Sequence, residues 1–157
     1  MQTSLTRVSS RRWTSPAASS VASALSEKLV VDASALLEAL IGTQLGDRVR
    51  SRMRGSALVA PAHLDAEILS ALGRLHRADE ISDAVVSSAL EELAAAPIQR
   101  HPLPGLLHGA WERRASLRLV DALYVELAAT LEDAVLITTD ARLCRAEQQA
   151  ELIATEG

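Results

Sequence analysis

Four acidic side chains stand in parts of this sequence that are otherwise apolar. Burying an unpaired carboxylate is unfavourable, so such a residue usually has a hydrogen-bond network, a cationic partner or a bound metal ion. The chain contains a single lysine, Lys28, so lysine cannot neutralise the whole set. The pattern therefore suggests a site for a divalent metal ion formed by Asp32, Glu67, Asp121 and Asp140.

Two of these acids follow short apolar runs. Asp32 comes directly after residues 29–31, and Asp140 comes shortly after residues 134–137. A short continuous apolar run with β-branched residues is typical of a buried strand in a parallel sheet. Because such sheets carry their functional loops beyond the carboxyl ends of the strands, we expect both aspartates at one edge of the sheet.

The other two acids interrupt predicted helices. Glu67 lies within a helix predicted from about His63 to Arg77, and Asp121 lies within an apolar helical pattern. A hard cation such as Mg²⁺ prefers oxygen ligands and keeps several waters, so a few carboxylates are enough to hold it. A metal held there would make a water molecule more acidic and neutralise charge on a phosphate oxygen. The set therefore favours hydrolysis of a phosphodiester.

The elements that must position these acids alternate between strands and helices. This alternation predicts an α/β fold with a central parallel sheet covered on both faces. The predicted strands are 29–32, 57–60, 98–100 and 135–138. The predicted helices are 35–40 with Ser34 as its cap, 44–53, 63–77, 83–95, 106–116 and 120–131, with a closing helix after Asp140.

Length and composition suit one globular domain. Of 157 residues, 48% are hydrophobic and 23% are charged. We place a domain at residues 28–150 and expect residues 1–26, rich in serine and alanine, to be a flexible extension that an upstream start codon would add to the native protein. No apolar run reaches the roughly 20 residues that a membrane span requires. The single Cys144 cannot form an intrachain disulfide, which favours the cytoplasm.

Four phrases around the acids resemble the PIN-domain ribonucleases, and most closely the VapC toxins of bacterial toxin–antitoxin pairs. The resemblance runs from about residue 29 to residue 146. It implies a three-layer α/β/α fold, an endoribonuclease dependent on Mg²⁺ or Mn²⁺, a VapB-type antitoxin partner, a homodimer and a structured RNA substrate. The phrases are residues 31–36, 61–75, 120–128 and 136–143.

The resemblance also suggests roles for individual residues. The four acids match the acidic quartet of the family, both as catalytic residues and as metal ligands. Thr138 matches a frequent hydroxyl position, and Ser34 matches a small polar position after the first aspartate. In the expected mechanism a metal-activated water attacks the phosphorus and leaves 5′-phosphate and 3′-hydroxyl ends. Arginines near the acids in sequence are candidates for RNA contacts: Arg113, Arg114, Arg118 and Arg142.

Structural interpretations compete for each acid taken alone. Asp32 and Asp140 could simply cap the helices that follow them. Glu67 could be a buried partner of Arg114 or Arg118. Asp65 is set apart, because residues two apart on a helix point about 200° away from each other. Other residues are expected to have structural roles: His63, His76, His101 and His108 as surface or satisfied histidines, and Trp111 and Tyr124 in the core or an interface.

Other functions can be weighed on the same residues. A phosphoryl-transfer or receiver domain needs a cation after a later strand, whereas Lys28 precedes Asp32. A haloacid-dehalogenase-like site needs a second aspartate where the chain has Ser34, and no Gly-rich phosphate loop is present. A PIN-domain nuclease of RNA processing and a catalytically silent PIN scaffold remain open as alternatives to a toxin.

Overall fold

The computed structural model describes residues 27–154, so the predicted extension at residues 1–26 lies outside the described residues. Within this range the chain forms a five-stranded sheet and seven α-helices. The strands are β1 (Lys28–Val31), β2 (Ala57–Pro61), β3 (Ile98–His101), β4 (Ala134–Thr138) and β5 (Ala150–Leu152). The helices are α1 (Ala33–Ile41), α2 (Gln44–Met53), α3 (Leu64–Arg77), α4 (Asp83–Ala95), α5 (Leu107–Glu112), α6 (Leu119–Thr130) and α7 (Ala141–Ala146).

All neighbouring strands of the sheet are parallel, in the order β3-β2-β1-β4-β5. The central strand β1 is fully buried from Leu29 to Val31, as expected for a strand covered on both faces. Helix α1 contacts α2, α3 and α4, and α3 also contacts α4, while α6 packs with α5 and against β1, β2 and β4. The predicted three-layer α/β/α fold is confirmed.

The sheet register brings two site candidates side by side. Val31 of β1 is paired with Ile137 of β4, so the residues that follow each of them lie at the same edge. The backbone N–H of Asp32 continues this ladder by donating to the Ile137 carbonyl at 3.1 Å. The carboxyl edge of the two central strands therefore carries Asp32 and Thr138 together.

A tight corner joins α1 to α2 and depends on two glycines. Gly42 ends α1 with φ of 76°, a left-handed conformation that favours glycine. Thr43 caps α2 by accepting a hydrogen bond from the Gly46 N–H at 2.9 Å. A Cβ at Gly46 would lie 2.0 Å from the Glu38 carbonyl oxygen, so the two helices approach through the space left by the missing side chain.

Gly46→Ala should destabilise the fold because a backbone carbonyl, unlike the end of a flexible side chain, has little room to move. We expect a loss of about 1–3 kcal/mol in the free energy of unfolding, the usual range for overpacking. Gly105→Ala is the matched control, since a Cβ there meets no atom of the described residues within 4 Å. Urea unfolding of the two variants checks the difference, and equal stability would contradict the close approach.

Several element boundaries differ from the sequence-based predictions. The first helix begins at Ala33 with Asp32 at its N-cap, so the prediction of Ser34 as the cap was wrong. The helix predicted for 106–116 ends at Glu112 and follows a short 3₁₀ turn. The strand β5 was not predicted, because its three residues are too few to form a pattern. Among residues 27–154, no helix combines the length and apolar character needed to cross a membrane.

Candidate active site

The carboxylate of Asp32 is held by two hydroxyl groups at the edge of the sheet. Ser34 Oγ donates to Asp32 Oδ2 at 2.5 Å, and Thr138 Oγ1 donates to the same oxygen at 2.8 Å. Backbone groups fix both hydroxyls in turn, since Thr139 N donates to Ser34 Oγ and Asp140 N donates to Thr138 Oγ1. Asp32 forms no side-chain cap on α1, so its carboxylate is available for another role.

Asp32 is a buried acid under electrostatic strain. Asp32 is 5% exposed, and the neighbouring Thr138 is fully buried. Burial raises the pKa of Asp32, and the negative charges of Glu67 and Asp121 raise it further, while the hydrogen bonds from Ser34 and Thr138 only partly oppose this. A positive charge at this place would relieve the strain.

Glu67 points from the first turn of α3 toward Tyr124 of α6. The Tyr124 hydroxyl donates to Glu67 Oε2 at 2.6 Å, and His63 Nε2 lies 3.2 Å from the same oxygen. Burial alone would raise the pKa of Glu67, but the contact with His63 and the hydrogen bond from Tyr124 outweigh it and lower the pKa. Glu67 is therefore held as a carboxylate, and neither Arg114 nor Arg118 is its hydrogen-bonding partner among the described residues.

Asp121 and Asp140 each pair with an exposed arginine. Arg118 Nε donates to Asp121 Oδ2 at 3.0 Å, and Arg142 Nη2 donates to Asp140 Oδ2 at 3.1 Å. The Arg142 contact lowers the pKa of Asp140. Asp140 also caps α7 by accepting from the Arg142 N–H, so the predicted capping role is present alongside any other.

Electrostatic interactions connect the four acids. The charges of Glu67 and Asp121 act on Asp32, and the Asp121 charge also acts on Arg142, the partner of Asp140. Each carboxylate is nevertheless engaged by protein donors, and within residues 27–154 no three acidic, histidine or cysteine side chains are arranged to hold a metal ion as they stand. Among the described residues Arg118 engages only Oδ2 of Asp121, whereas Arg142 engages both oxygens of Asp140, so a cation that binds Asp140 would take the place of its arginine.

The donor set fits a hard divalent cation. All four candidate ligands offer carboxylate oxygens, which Mg²⁺ and Mn²⁺ favour. The two hydrogen bonds that the buried Asp32 carboxylate accepts within the described part of the chain come from uncharged hydroxyls, so these contacts leave its charge uncompensated. The residues present therefore suit such an ion, and the two arginines supply positive charge near two of the acids.

The other candidate residues contact side chains outside the acidic quartet. Arg113 pairs with Glu126, and the Arg114 guanidinium stacks on the Trp111 ring at 4.8 Å. Asp65 pairs with Arg100, which agrees with its separation from the set. Of the four arginines predicted to contact RNA, only Arg118 and Arg142 contact the acids in the described part of the chain.

The sequence analysis gave no role at the site to two residues that contact Glu67. Tyr124 was expected in the core or an interface, and its burial in the core is confirmed, but its contact with Glu67 was not predicted. His63 was expected to be a surface or satisfied histidine, and its contact with Glu67 was not predicted either. His63 Nδ1 is buried and has no hydrogen-bond partner among residues 27–154. Spacing could have revealed both, because Tyr124 lies three residues after Asp121 and His63 lies four before Glu67, on the same helix faces.

Comparisons with known proteins agree with this architecture. The family model for the PIN domain matches residues 29–148. Ribonuclease VapC3 of Mycobacterium tuberculosis is 55% identical over 130 residues, which span 81% of the chain and 93% of that protein. Ribonuclease VapC1 of the same species is 39% identical over 122 residues, spanning 76% of the chain and 91% of that protein. Ribonuclease VapC12, also of that species, is 33% identical over 129 residues, spanning 80% and 99%. The chain therefore belongs to the PIN-domain family and is a VapC-like member of it.

Proposed function

We propose that the protein is a Mg²⁺-dependent endoribonuclease that acts as the toxin of a VapBC-type toxin–antitoxin module. The observation that carries this proposal is the buried Asp32 carboxylate, held by hydroxyls under the charges of Glu67 and Asp121. A buried carboxylate whose pKa is raised by burial and by neighbouring negative charges is a frequent feature of functional sites. The similarity to proteins named VapC ribonucleases supports RNA as the substrate.

In this proposal Asp32, Glu67, Asp121 and Asp140 hold Mg²⁺, and Mn²⁺ can replace it. The bound cation would supply an acidified water and neutralise charge on the phosphate being attacked. Ser34 and Thr138 fix the orientation of Asp32 through their hydrogen bonds to Oδ2. The protein needs no nucleophile of its own and forms no covalent intermediate with RNA.

Arg118 and Arg142 are the best candidates for binding the RNA backbone. Their side chains are 66% and 72% exposed, so they can leave their aspartates when a cation takes over the neutralisation. A guanidinium matches the geometry of a phosphate group. Arg113 and Arg114 would contact RNA nucleotides outside the cleavage site. Arg113 would first release Glu126, and Arg114 would move off the Trp111 ring.

The biological role follows from the VapC likeness. A VapB-like antitoxin would bind the protein and suppress its activity, and the protein would act in the cytoplasm as a homodimer. The mild net charge of −4 means that RNA attraction must come from local arginines and the bound cation. Two alternatives lead to different results in the test below: an RNA-processing nuclease without toxicity, and a silent scaffold.

Expression of the protein in a bacterial host tests this function directly. The protein alone should stop growth, and total RNA from those cells should contain new 5′-phosphate ends at few defined positions. Co-expression of the proposed VapB-like antitoxin should restore growth. Cleavage without toxicity would favour RNA processing, and toxicity or RNA binding without new ends would rule out the nuclease.

A further inference from the structure

Tyr124 places a hydroxyl group in the centre of the candidate active site. Its side chain is fully buried in α6, and its hydroxyl donates to Glu67 Oε2 at 2.6 Å. A buried hydroxyl is unfavourable unless it forms a hydrogen bond, and a phenylalanine would fill the same space without one. The contact with Glu67 therefore explains why a tyrosine, the only one in the chain, stands here.

His63 acts on the same carboxylate oxygen. Its Nε2 lies 3.2 Å from Glu67 Oε2 and 3.2 Å from the Val120 carbonyl oxygen. Both neighbours are acceptors, so Nε2 carries a hydrogen. The His63 ring also packs against Tyr124, with ring centroids 4.8 Å apart. The two side chains thus form one unit that bridges α3 and α6.

The two carboxylate oxygens of Glu67 differ in their contacts. The hydrogen bond from Tyr124 and the contact from His63 both fall on Oε2, and within residues 27–154 no recorded contact falls on Oε1. A glutamate on a helix surface samples many rotamers, and fixing it in advance removes the entropy that ligand binding would otherwise have to overcome. Groups that orient a metal ligand in this way affect metal affinity as well as activity.

We propose that Tyr124 and His63 are positioning residues that hold Glu67 through Oε2 and so present Oε1 to the divalent cation. This inference rests on the proposed function, because it concerns the same metal site. It assigns roles to two residues outside the acidic quartet. It also predicts that the hydroxyl of Tyr124 increases metal affinity, whereas the ring contributes to packing and stability.

Tyr124→Phe tests the proposal by removing the hydroxyl and keeping the ring. Isothermal titration with Mn²⁺ alone, without RNA, should show an affinity about 10–100-fold weaker than that of the unaltered protein. RNA cleavage should need more Mn²⁺ to reach half its maximum, by a similar factor, and should recover toward the original rate at high Mn²⁺. His63→Leu, which removes the Nε2–H with a side chain of similar size, should change the affinity in the same direction.

Val125→Ala is the matched control for a purely structural effect. Val125 is fully buried in the same helix, so its truncation lowers stability without touching Glu67. Mn²⁺ affinity should stay as in the unaltered protein in this variant. If Tyr124→Phe lowers thermal stability but leaves Mn²⁺ affinity unchanged, as Val125→Ala does, the positioning role is overturned.

The same titrations separate this inference from the proposed function. If the unaltered protein binds Mn²⁺, Asp32→Asn loses that binding, and both Tyr124→Phe and His63→Leu bind as the unaltered protein does, only the positioning role fails. If the unaltered protein binds no Mn²⁺, the metal site and the positioning role fail together. A weaker affinity in both variants, with the control unchanged, supports the proposal.

Discussion

Asp32→Asn should abolish RNA cleavage and growth inhibition while the protein stays folded. The amide keeps the size of the side chain and still accepts hydrogen bonds from Ser34 and Thr138, so the edge of the sheet is preserved. It lacks the negative charge that a divalent cation requires. Changes in groups that merely orient a metal ligand cost about 10–100-fold in activity, so loss of a ligand should exceed about 100-fold.

Asp65→Asn is the matched control for this substitution. Asp65 lies two residues before Glu67 on α3 but pairs with Arg100 on β3, away from the candidate ligands. The same chemical change there should leave cleavage close to normal. Both variants should be compared by end-labelled RNA cleavage at matched Mg²⁺, with circular dichroism to verify folding. Full activity in Asp32→Asn would rule out the site assignment.

The strand-end positions could be predicted because they rest on a local pattern. A short apolar run followed by aspartate is visible in the sequence, and parallel sheets expose such residues at one edge. The structure accordingly brings Asp32 beside Thr138 through the pairing of Val31 with Ile137. The alternation of strands and helices likewise predicted the three-layer fold. Local periodicity was enough to locate these features.

The partners of the acids could not be predicted because they depend on side-chain contacts between distant elements. Glu67 was weighed as a partner of Arg114 or Arg118, whereas the structure joins it to Tyr124, 57 residues away. The ion pairs of α2 show the same dependence, since Arg50 pairs with Glu92, and Arg52 bridges Glu27 and Glu151. Hydrophobic periodicity indicates which face of a helix is buried and carries no information on which charges meet there.

Removing divalent cations should also have a large effect, on both activity and stability. Treatment with EDTA should abolish cleavage, and Mg²⁺ or Mn²⁺ should restore it. A ligand present at 100 times its dissociation constant stabilises the folded state by about 2.7 kcal/mol. For a domain of this size the thermal midpoint of unfolding should therefore rise by roughly 5–15 °C on adding the metal. Cleavage that persists in EDTA would contradict a metal-dependent mechanism.

The pH dependence of the metal-free protein gives a sharper form of this prediction. The pKa of Asp32 is raised in the folded state by burial and by Glu67 and Asp121, above the unfolded value of about 3.9. Its protonated form is therefore favoured by folding, and this stability is complete below the unfolded pKa and is lost as pH rises through the folded pKa. At neutral pH without metal, Asp32→Asn should unfold at a higher temperature than the unaltered protein, and the difference in unfolding temperature should shrink toward pH 4.

Adding Mg²⁺ at neutral pH should stabilise the unaltered protein and leave Asp32→Asn unchanged. Two results would show that the cation does not neutralise the Asp32 charge. In one, Asp32→Asn is less stable in EDTA than the unaltered protein; in the other, Mg²⁺ raises its unfolding temperature as much as that of the unaltered protein.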